Sequence, residues 1–447
     1  MNSSTLLKAT ASAARSPSTL AAYDFAPAQV TYPFYFANRD HMLPFISDKY
    51  LSLLAPILIY WATSLTYHAL DVLQLPYFEQ YRLHESEEVT KRNKVTVPQV
   101  VKMVLVQQAI QTVLGLLVLD GDEVAHAQVF ADHRAKIQSL GVSAAQLLAS
   151  LVGEQRTIQA LTALGGAKAI EWLYWWGIPI FQFWFAFFVM DTWQYFMHRA
   201  FHESRWLYRT FHSHHHRLYV PYAFGALYNH PLEGLLFDSL GGALSHKAAL
   251  MTVRQGFLLF TFATFKTVSD HGGYALPWYI DPLHLIFPNT AAYHDVHHQM
   301  LGLRYNYSQP FFIHFDVLFG TRMSVDKFKK LVEGKKEKQN RKREEAAEGK
   351  EKVANANGAS SALLDDKTAP VVAAAAELRS RSRPSLGESD GADLPPSQIL
   401  QERIEKHGNG HANGSATRAN GSSSLPADPL VTVSQQDYRA KAGTSTA

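Results

Sequence analysis

The sequence predicts an all-α integral membrane protein: a helical bundle with a histidine-rich dimetal cap on the cytosolic side and a disordered C-terminal tail. Three observations predict this class. Long uncharged apolar runs fill the first three quarters of the chain, histidine clusters follow the strongest of these runs, and the last 120 or so residues have almost no aromatics. The 447 residues include no cysteine, so a metal would have to be bound by histidine and carboxylate. The formal net charge of +3 is small and does not indicate a nucleic-acid partner.

Three uncharged runs are long enough, or nearly so, to cross a membrane, which takes about 20 apolar residues. Residues 1–45 show no period and are interpreted as a poorly structured lead-in without a signal peptide, so insertion is expected to depend on internal spans. The membrane domain is predicted over residues 46–325. Its spans are predicted at about residues 50–70, 103–119 and 172–190.

The remaining segments are less apolar. Residues 120–170 are expected to form amphipathic helices at the membrane surface. Residues 232–265 are apolar but interrupted by charges and glycines, which favours two short helices in a hairpin, of the kind that re-entrant segments form, over one long span. Residues 326–447 form the predicted tail. Its basic part, residues 327–352, is expected to be a solvated helix or arm, and residues 353–447 are expected to be disordered.

Basic residues predict the orientation. Lys91, Arg92 and Lys94 follow the first span, and several arginines follow the third. Because two crossings separate these segments, they lie on one side, which the positive-inside rule assigns to the cytosol.

Histidines cluster directly after the third span. Asp191, Tyr195, His198 and His202 recur at helical spacing and form one stripe. Two imidazoles on one helical face can chelate one metal, and a carboxylate one or two turns back is expected to hold a ring N–H.

Two HxxHH motifs follow, at His212, His215 and His216 and at His294, His297 and His298. Each triple can present two rings to one metal and the third ring to a neighbouring metal. His230 and His271 flank the apolar hairpin and bring the predicted ligands to ten, enough for two metals. The carboxylates expected to orient the rings are Asp191, Glu233, Asp270 and Asp295.

Alternatives to a catalytic metal centre are weaker. A structural zinc site needs only about four ligands, and a membrane metal transporter places its ligands near the middle of its spans. Here the histidines lie beyond the span ends. Imidazole ligands suit iron, zinc or copper, and oxygen chemistry on an unactivated C–H bond requires iron or copper.

These histidine boxes resemble those of the fatty acid hydroxylase/sterol desaturase superfamily of membrane di-iron oxygenases. Longer strings, such as Leu227–Gly234, Lys266–Trp278 and Tyr293–Gln299, resemble the fungal sphingolipid long-chain-base 4-hydroxylases of this superfamily. The resemblance covers roughly residues 45–325.

The resemblance implies O2-dependent hydroxylation of carbon 4 of sphinganine or dihydroceramide in the endoplasmic reticulum membrane. It also implies two iron ions held by the ten histidines, and electrons from NADPH through cytochrome b5 and its reductase. The alternative is another activity of the superfamily, that of a sterol desaturase, sterol methyl oxidase or fatty-acyl 2-hydroxylase, because these reactions share the ligand set.

Overall fold

The computed structural model describes residues 23–362, and the side chains of residues 23–352. This part is helical and has no β-strand, only isolated bridges, which confirms the predicted all-α class. The predicted disordered tail beyond residue 362 lies outside the described residues. The α-helices are α1 (Asp48–Leu73), α2 (Pro76–Glu79), α3 (Ser86–Arg92), α4 (Val97–Val118), α5 (Asp122–Val129), α6 (His133–Val152), α7 (Glu154–Ala163), α8 (Ala167–Trp172), α9 (Ile178–Glu203), α10 (Arg205–Leu207), α11 (Pro231–Gly234), α12 (Gly241–Ala248), α13 (Val253–Asp270), α14 (Ala291–His298), α15 (His314–Leu318) and α16 (Val325–Ala362).

Short π-helical and 3-10 segments join some of these helices. The π-helical segments are Leu173–Gly177, Tyr208–His212 and Leu235–Leu240, and the 3-10 segments are His215–Arg217, Ala223–Leu227 and Pro282–Leu285.

Four described helices are long and apolar enough to cross a membrane: α1, α4, α6 and the continuous helix Ala167–Glu203 that contains α9. Three of them cover the predicted spans. The start of α4 shows why the helix begins where it does. Thr96 forms a capping box with Gln99, and Pro98 lies in the first turn, where its missing N–H costs nothing.

Helices α1 and α13 run parallel and pack along their length. Asp48 at the start of α1 pairs with Arg254 at the start of α13, 2.7 Å apart. Near their other ends, a Cβ added to Gly272 would lie 2.5 Å from the ring of Tyr67. Helix α4 is antiparallel to α1, because Lys49 Nζ donates to the carbonyl of Leu116 near the end of α4.

Residues 231–270 form the predicted helical hairpin, slightly longer than the sequence indicated. The first limb runs from α11 to α12, and a capping box of Thr252 with Gln255 starts the return limb, α13. The Gln182 amide donates to the carbonyl of Ala249, so the hairpin tip lies beside the start of α9. The tip thus reaches the level at which α1 begins.

The bundle therefore has two ends. At the histidine end, α1, α9 and α13 finish and α4 starts. At the distal end lie the hairpin tip and the start of α1. The loop before α4 packs against the histidine region, since Lys94 N donates to the carbonyl of Arg217 at 2.9 Å. The first loop and the histidine clusters thus lie at one end, in the arrangement from which the orientation was predicted.

Helix α6 has the length and composition of a span, although the sequence analysis assigned residues 120–170 to the membrane surface. The path of the chain shows how α6 can be as long and apolar as a span while residues 120–170 add no crossing of the membrane. The ring of His133, at the start of α6, lies 5.0 Å from the ring of Trp175, just before α9. Segment α6–α8 therefore leaves the distal end and returns to it, without a net crossing.

Residues 23–45 are packed, whereas the sequence analysis expected a poorly structured lead-in. Phe25 is fully buried, and its ring fills the space above Gly141, where a Cβ would lie 2.3 Å from Phe25 Cβ. The Gln138 side-chain oxygen accepts hydrogen bonds from the Phe25 and Ala26 N–H groups, at 2.6 and 3.1 Å. These contacts are made by irregular, non-helical chain, which leaves no helical period in the sequence.

Candidate dimetal centre

The local secondary structure directs the histidines of the first box (His198 and His202) and of the second box (His212, His215 and His216) toward the same region. His198 and His202 share a face in the last two turns of α9. His212 ends a π-helical segment, and His215 and His216 lie on the 3-10 turn that follows.

The third box forms the short helix α14. Its N-cap Thr290 accepts a hydrogen bond from the N–H of Tyr293, which fixes where the helix starts. His294, His297 and His298 are all almost completely buried.

The structure brings nine of the ten predicted ligands together in two groups, each with ligand atoms within 4.8 Å of one another. Each HxxHH motif divides between the groups, as its spacing allows. The five-histidine group is His198, His202, His212, His216 and His297, and the four-histidine group is His215, His271, His294 and His298.

Hydrogen bonds at Nδ1 fix the protonation of several rings. His198, His271, His297 and His298 each place Nδ1 within 2.7–2.8 Å of a backbone carbonyl. A carbonyl only accepts, so Nδ1 must carry the proton and Nε2 must present a lone pair. Several lone pairs therefore converge inside each group, and a bound cation is what satisfies such an arrangement.

Distances between ring nitrogens fit a metal centre. The Nε2 atoms of His198 and His212 are 3.0 Å apart, as are those of His271 and His294. At a metal–nitrogen distance of about 2.1 Å, two ligands at a right angle lie about 3.0 Å apart. The nitrogens of each pair therefore lie close enough together for one ion to contact both.

Burial keeps these imidazoles neutral, as metal ligation requires. Desolvation lowers the pKa of His297 to about 3. It also lowers the pKa of His215 to about 4, with a further contribution from neighbouring His212. Neutral rings at physiological pH leave their nitrogen lone pairs free for a metal.

Glu233 is the carboxylate that orients a clustered ring. Its Oε1 lies 2.5 Å from His212 Nδ1, and the side chain is 1% exposed. Burial raises the pKa of Glu233 to about 7, against the opposing effect of nearby His215.

The other three predicted carboxylates have different partners. Asp191 lies about 10 Å along the helix from His198, at about 1.5 Å per residue, which is too far to hold that ring. Its oxygens instead accept from the N–H groups of Phe311 and Phe312, at 3.2 and 2.5 Å. These contacts tie α9 to the segment after α14.

The side chains of Asp270 and Asp295 also have partners other than the clustered rings. Asp270 pairs with buried Lys266 at 2.5 Å. Asp295 lies 2.8 Å from His84 Nε2, a contact that joins α14 to the segment between α2 and α3. No motif singles out His84 in the sequence.

His230, the tenth predicted ligand, lies in neither group. Its Nδ1 accepts the N–H of Leu232 at 3.2 Å and so caps α11. Its ring packs against Phe211, with centroids 4.9 Å apart. We therefore do not assign His230 as a ligand, because its Nδ1 is engaged and its position lies outside both clusters.

Comparisons with known proteins agree with this geometry. A family model described as "Fatty acid hydroxylase" matches residues 183–321. The chain is 40% identical over 308 residues to a sphingolipid C4-hydroxylase of Saccharomyces cerevisiae, covering 66% of this chain and 81% of that protein. The chain belongs to the fatty acid hydroxylase family.

Two plant relatives are equally similar. Sphinganine C4-monooxygenase 1 of Arabidopsis thaliana is 42% identical over 278 residues, covering 62% of this chain and 89% of that protein. A very-long-chain aldehyde decarbonylase of Oryza sativa subsp. indica is 41% identical over 279 residues, covering 62% and 90%. No solved structure matches the chain.

Membership and the four long apolar helices make this chain a membrane protein. The family match includes all nine clustered histidines, because it begins within α9 and ends after α14. The matched segment therefore carries both histidine groups and the hairpin between them.

A cavity of about 510 Å³ reaches both groups. It lies between α1, α4, α9 and the hairpin. Histidines from both groups line it: His198, His212, His215, His271 and His294. Apolar residues of the helices line the part away from the histidines, including Leu53, Ile57, Leu114, Val118 and Phe260.

Polar residues also line this cavity at a depth where the helices are otherwise apolar. Gln108 and Gln111 lie on α4, and Asp238 lies on the first limb of the hairpin. The sequence analysis did not identify them as site residues. Polar side chains inside an uncharged run are the signal that would have found them, because such residues are costly in a membrane and mark functional sites.

Proposed function

We propose that this protein catalyses the O2-dependent hydroxylation of carbon 4 of a sphinganine-type long-chain base, giving the phytosphingosine type. The observation that carries this proposal is that both histidine groups line one apolar cavity. Such a cavity fits a lipid chain and brings a C–H bond of the chain to the metals. The names of the yeast and Arabidopsis relatives support carbon 4 as the position.

Two iron ions are the proposed cofactor. The nine clustered histidines fit them, because the rings are neutral, buried and convergent. Bound iron would supply the activation of O2 that an unactivated C–H bond requires. In the overall reaction, O2, two electrons and two protons convert the C–H bond to an alcohol and one water. NADPH is the proposed electron source, through cytochrome b5 and its reductase.

The protein's own residues contribute positioning and the exclusion of water. Backbone carbonyls and Glu233 hold the rings in place before a metal binds, so little reorganisation is needed. The cavity walls surround the substrate chain with apolar side chains and keep bulk water from the reacting carbon.

We place the enzyme in the endoplasmic reticulum membrane, with the histidine end facing the cytosol. Lys91 at the end of α3 and Lys94 in the loop that follows lie at the histidine end, and the positive-inside rule assigns this end to the cytosol. Glycosylation acceptor sites inserted into this loop should stay unmodified. Their glycosylation would show that the histidine end faces the lumen and would contradict this orientation.

Expression in cells that lack their own long-chain-base 4-hydroxylase tests the function. Mass spectrometry should detect 4-hydroxylated bases with the intact chain and none with His297→Ala. His126→Ala is a matched control, because the His126 ring is 60% exposed and lies in neither group. An intact chain that accumulates without forming 4-hydroxylated bases would refute the proposal.

A second candidate activity is favoured by the rice relative, which is as similar as the C4-hydroxylases but is named as an aldehyde decarbonylase. Supplying a long-chain aldehyde to the same cells tests it. Formation of the alkane one carbon shorter would support decarbonylation. The same lipid analysis would reveal altered sterols or 2-hydroxylated acyl chains, the products of the other superfamily activities.

A further inference from the structure

Asp238 places a carboxylate beside the predicted path of a lipid chain. It lies on the first limb of the hairpin, and its exposed part faces the cavity that it lines. It accepts hydrogen bonds from side-chain amides, among them Gln107 Nε2 at 3.2 Å and Gln111 Nε2 at 3.4 Å. Within residues 23–352, no lysine or arginine forms an ion pair with Asp238.

The neighbouring glutamines have unused hydrogen-bonding atoms. Gln107 and Gln108 are 1% and 6% exposed, yet Gln107 Oε1 and Gln108 Nε2 have no hydrogen-bond partner among the described residues. The Gln108 side-chain oxygen is fixed by Trp61 Nε1 at 3.1 Å, which leaves its amide N–H groups free. Buried polar atoms without partners are rare and call for a ligand or another explanation.

The backbone makes room for this arrangement. A Cβ on Gly234 would lie 1.7 Å from Gln107 Nε2, so any larger residue would displace the amide that reaches Asp238. We call Gln107, Gln108, Gln111 and Asp238 the glutamine–aspartate cluster.

This cluster lies beside the five-histidine group. The ring of Phe237, the residue before Asp238, is 6.2 Å from the ring of His198. Gln194, one turn before His198 on α9, donates to the carbonyl of Phe237 at 3.0 Å. A ligand on the cluster would therefore hold its nearby carbons close to the metal ligands.

We infer that the glutamine–aspartate cluster binds the polar head of a free long-chain base, with Asp238 pairing with the ammonium group and the glutamine amides bonding to the hydroxyls. This inference rests on the proposed function and names its substrate class. The amino group of a free base lies two carbons from carbon 4, so holding it beside His198 places carbon 4 near the metals. An aliphatic amine is protonated at neutral pH, whereas the amide nitrogen of a ceramide is neutral.

A carboxylate that faces an apolar cavity discriminates between these two substrates through charge. An ion pair in a cavity of low polarity is stronger than in water, and the carboxylate has no other cation partner in the described part. A ceramide would leave Asp238 unpaired and would also have to fit a second acyl chain beside the cluster. The free base is therefore the expected substrate.

The test compares kcat/KM for sphinganine and for dihydroceramide, using membranes that contain the full-length protein. The intact enzyme should prefer sphinganine. Asp238→Asn keeps the shape but removes the charge, and should lower the sphinganine-to-dihydroceramide ratio by about tenfold or more, mainly through KM. Asp238→Glu should restore part of the ratio.

Asp120→Asn is the matched control. Asp120 is another carboxylate on the cavity, but it lies after α4 at the distal end and pairs with Lys247 at 3.0 Å. Its substitution should leave the substrate ratio unchanged. An equal fall of the ratio in both variants would overturn the inference.

A measurement on the intact enzyme covers the case in which Asp238 variants fail to accumulate. A sphinganine analogue with a hydroxyl in place of the amino group should be hydroxylated with a kcat/KM at least about tenfold lower than that of sphinganine. Equal rates for the two compounds, or a preference for dihydroceramide, would overturn the inference and leave C4 hydroxylation standing. Absence of any 4-hydroxylated product would instead refute the proposed function.

Discussion

The five-histidine and four-histidine groups differ in the number of nitrogens they offer and in how their rings are held. The first group has one more ligand and includes His202, which is only partly buried, whereas all four members of the second group are buried. A carboxylate, Glu233, holds one ring of the first group. In three rings of the second group, those of His215, His271 and His298, Nδ1 lies against a backbone carbonyl. The second group is therefore the less redundant one.

Removing a ligand from the four-histidine group should have the largest effect. His294→Ala leaves three imidazoles there, so this group should lose its metal and activity should fall by more than about a hundredfold. Metal analysis of the purified variant should therefore find about one metal per chain. Two metals per chain with full activity would contradict the assignment.

Removing a ligand from the five-histidine group should cost less. His202→Ala leaves four imidazoles, as many as the intact second group has. Both metals should be retained, while activity falls by up to about a hundredfold because the ligand geometry changes. Metal loss equal to that of His294→Ala would show that the two groups do not differ in redundancy.

Glu233→Gln should affect only the five-histidine group, and by less. The amide still accepts the His212 N–H but carries no charge, so the affinity of this group for metal should fall about tenfold. Metal titration with both groups resolved would measure it. Asp295→Asn is the control, because the Asp295 side chain contacts His84 and Gln299 and not a clustered ring. The metal affinity of this variant should stay within about threefold of that of the intact protein.

The smallest effect is expected at His230. His230→Ala removes the cap of α11, worth about 1 kcal/mol of stability, and should leave both metals and activity within about twofold. Thermal unfolding and metal analysis of the same sample would separate the two effects. Loss of a metal would return His230 to the ligand set.

Spacing along the chain predicted most of the fold that surrounds the site. The three predicted spans and the hairpin appear as helices, because uncharged runs of that length have few other ways to satisfy their backbone in a membrane. Residues 23–45 were misjudged, because Phe25 is buried by contacts with residues more than 100 positions away. No local pattern in the sequence indicates such long-range contacts.

At the site, too, spacing predicted some features, whereas others depend on contacts between distant residues. The i, i+3 and i+4 spacings placed the box histidines on common faces, but they also suggested Asp191 as a ring anchor. The actual anchors are mostly carbonyls, such as that of Tyr307 for His198. Every residue has a carbonyl, so the sequence carries no sign of which one is used.

By itself, the sequence determined the helical membrane class and the number of available imidazoles, and it predicted that each HxxHH motif can divide between two groups, because these depend on residue type and helical periodicity. Only the tertiary structure decided that His230 caps a helix and that Glu233 is the ring-holding carboxylate. It alone brought Gln107 and Gln108 of α4 beside Asp238 of the hairpin. These outcomes depend on the packing of helices distant in the chain, which brings together groups whose chemistry no single segment contains.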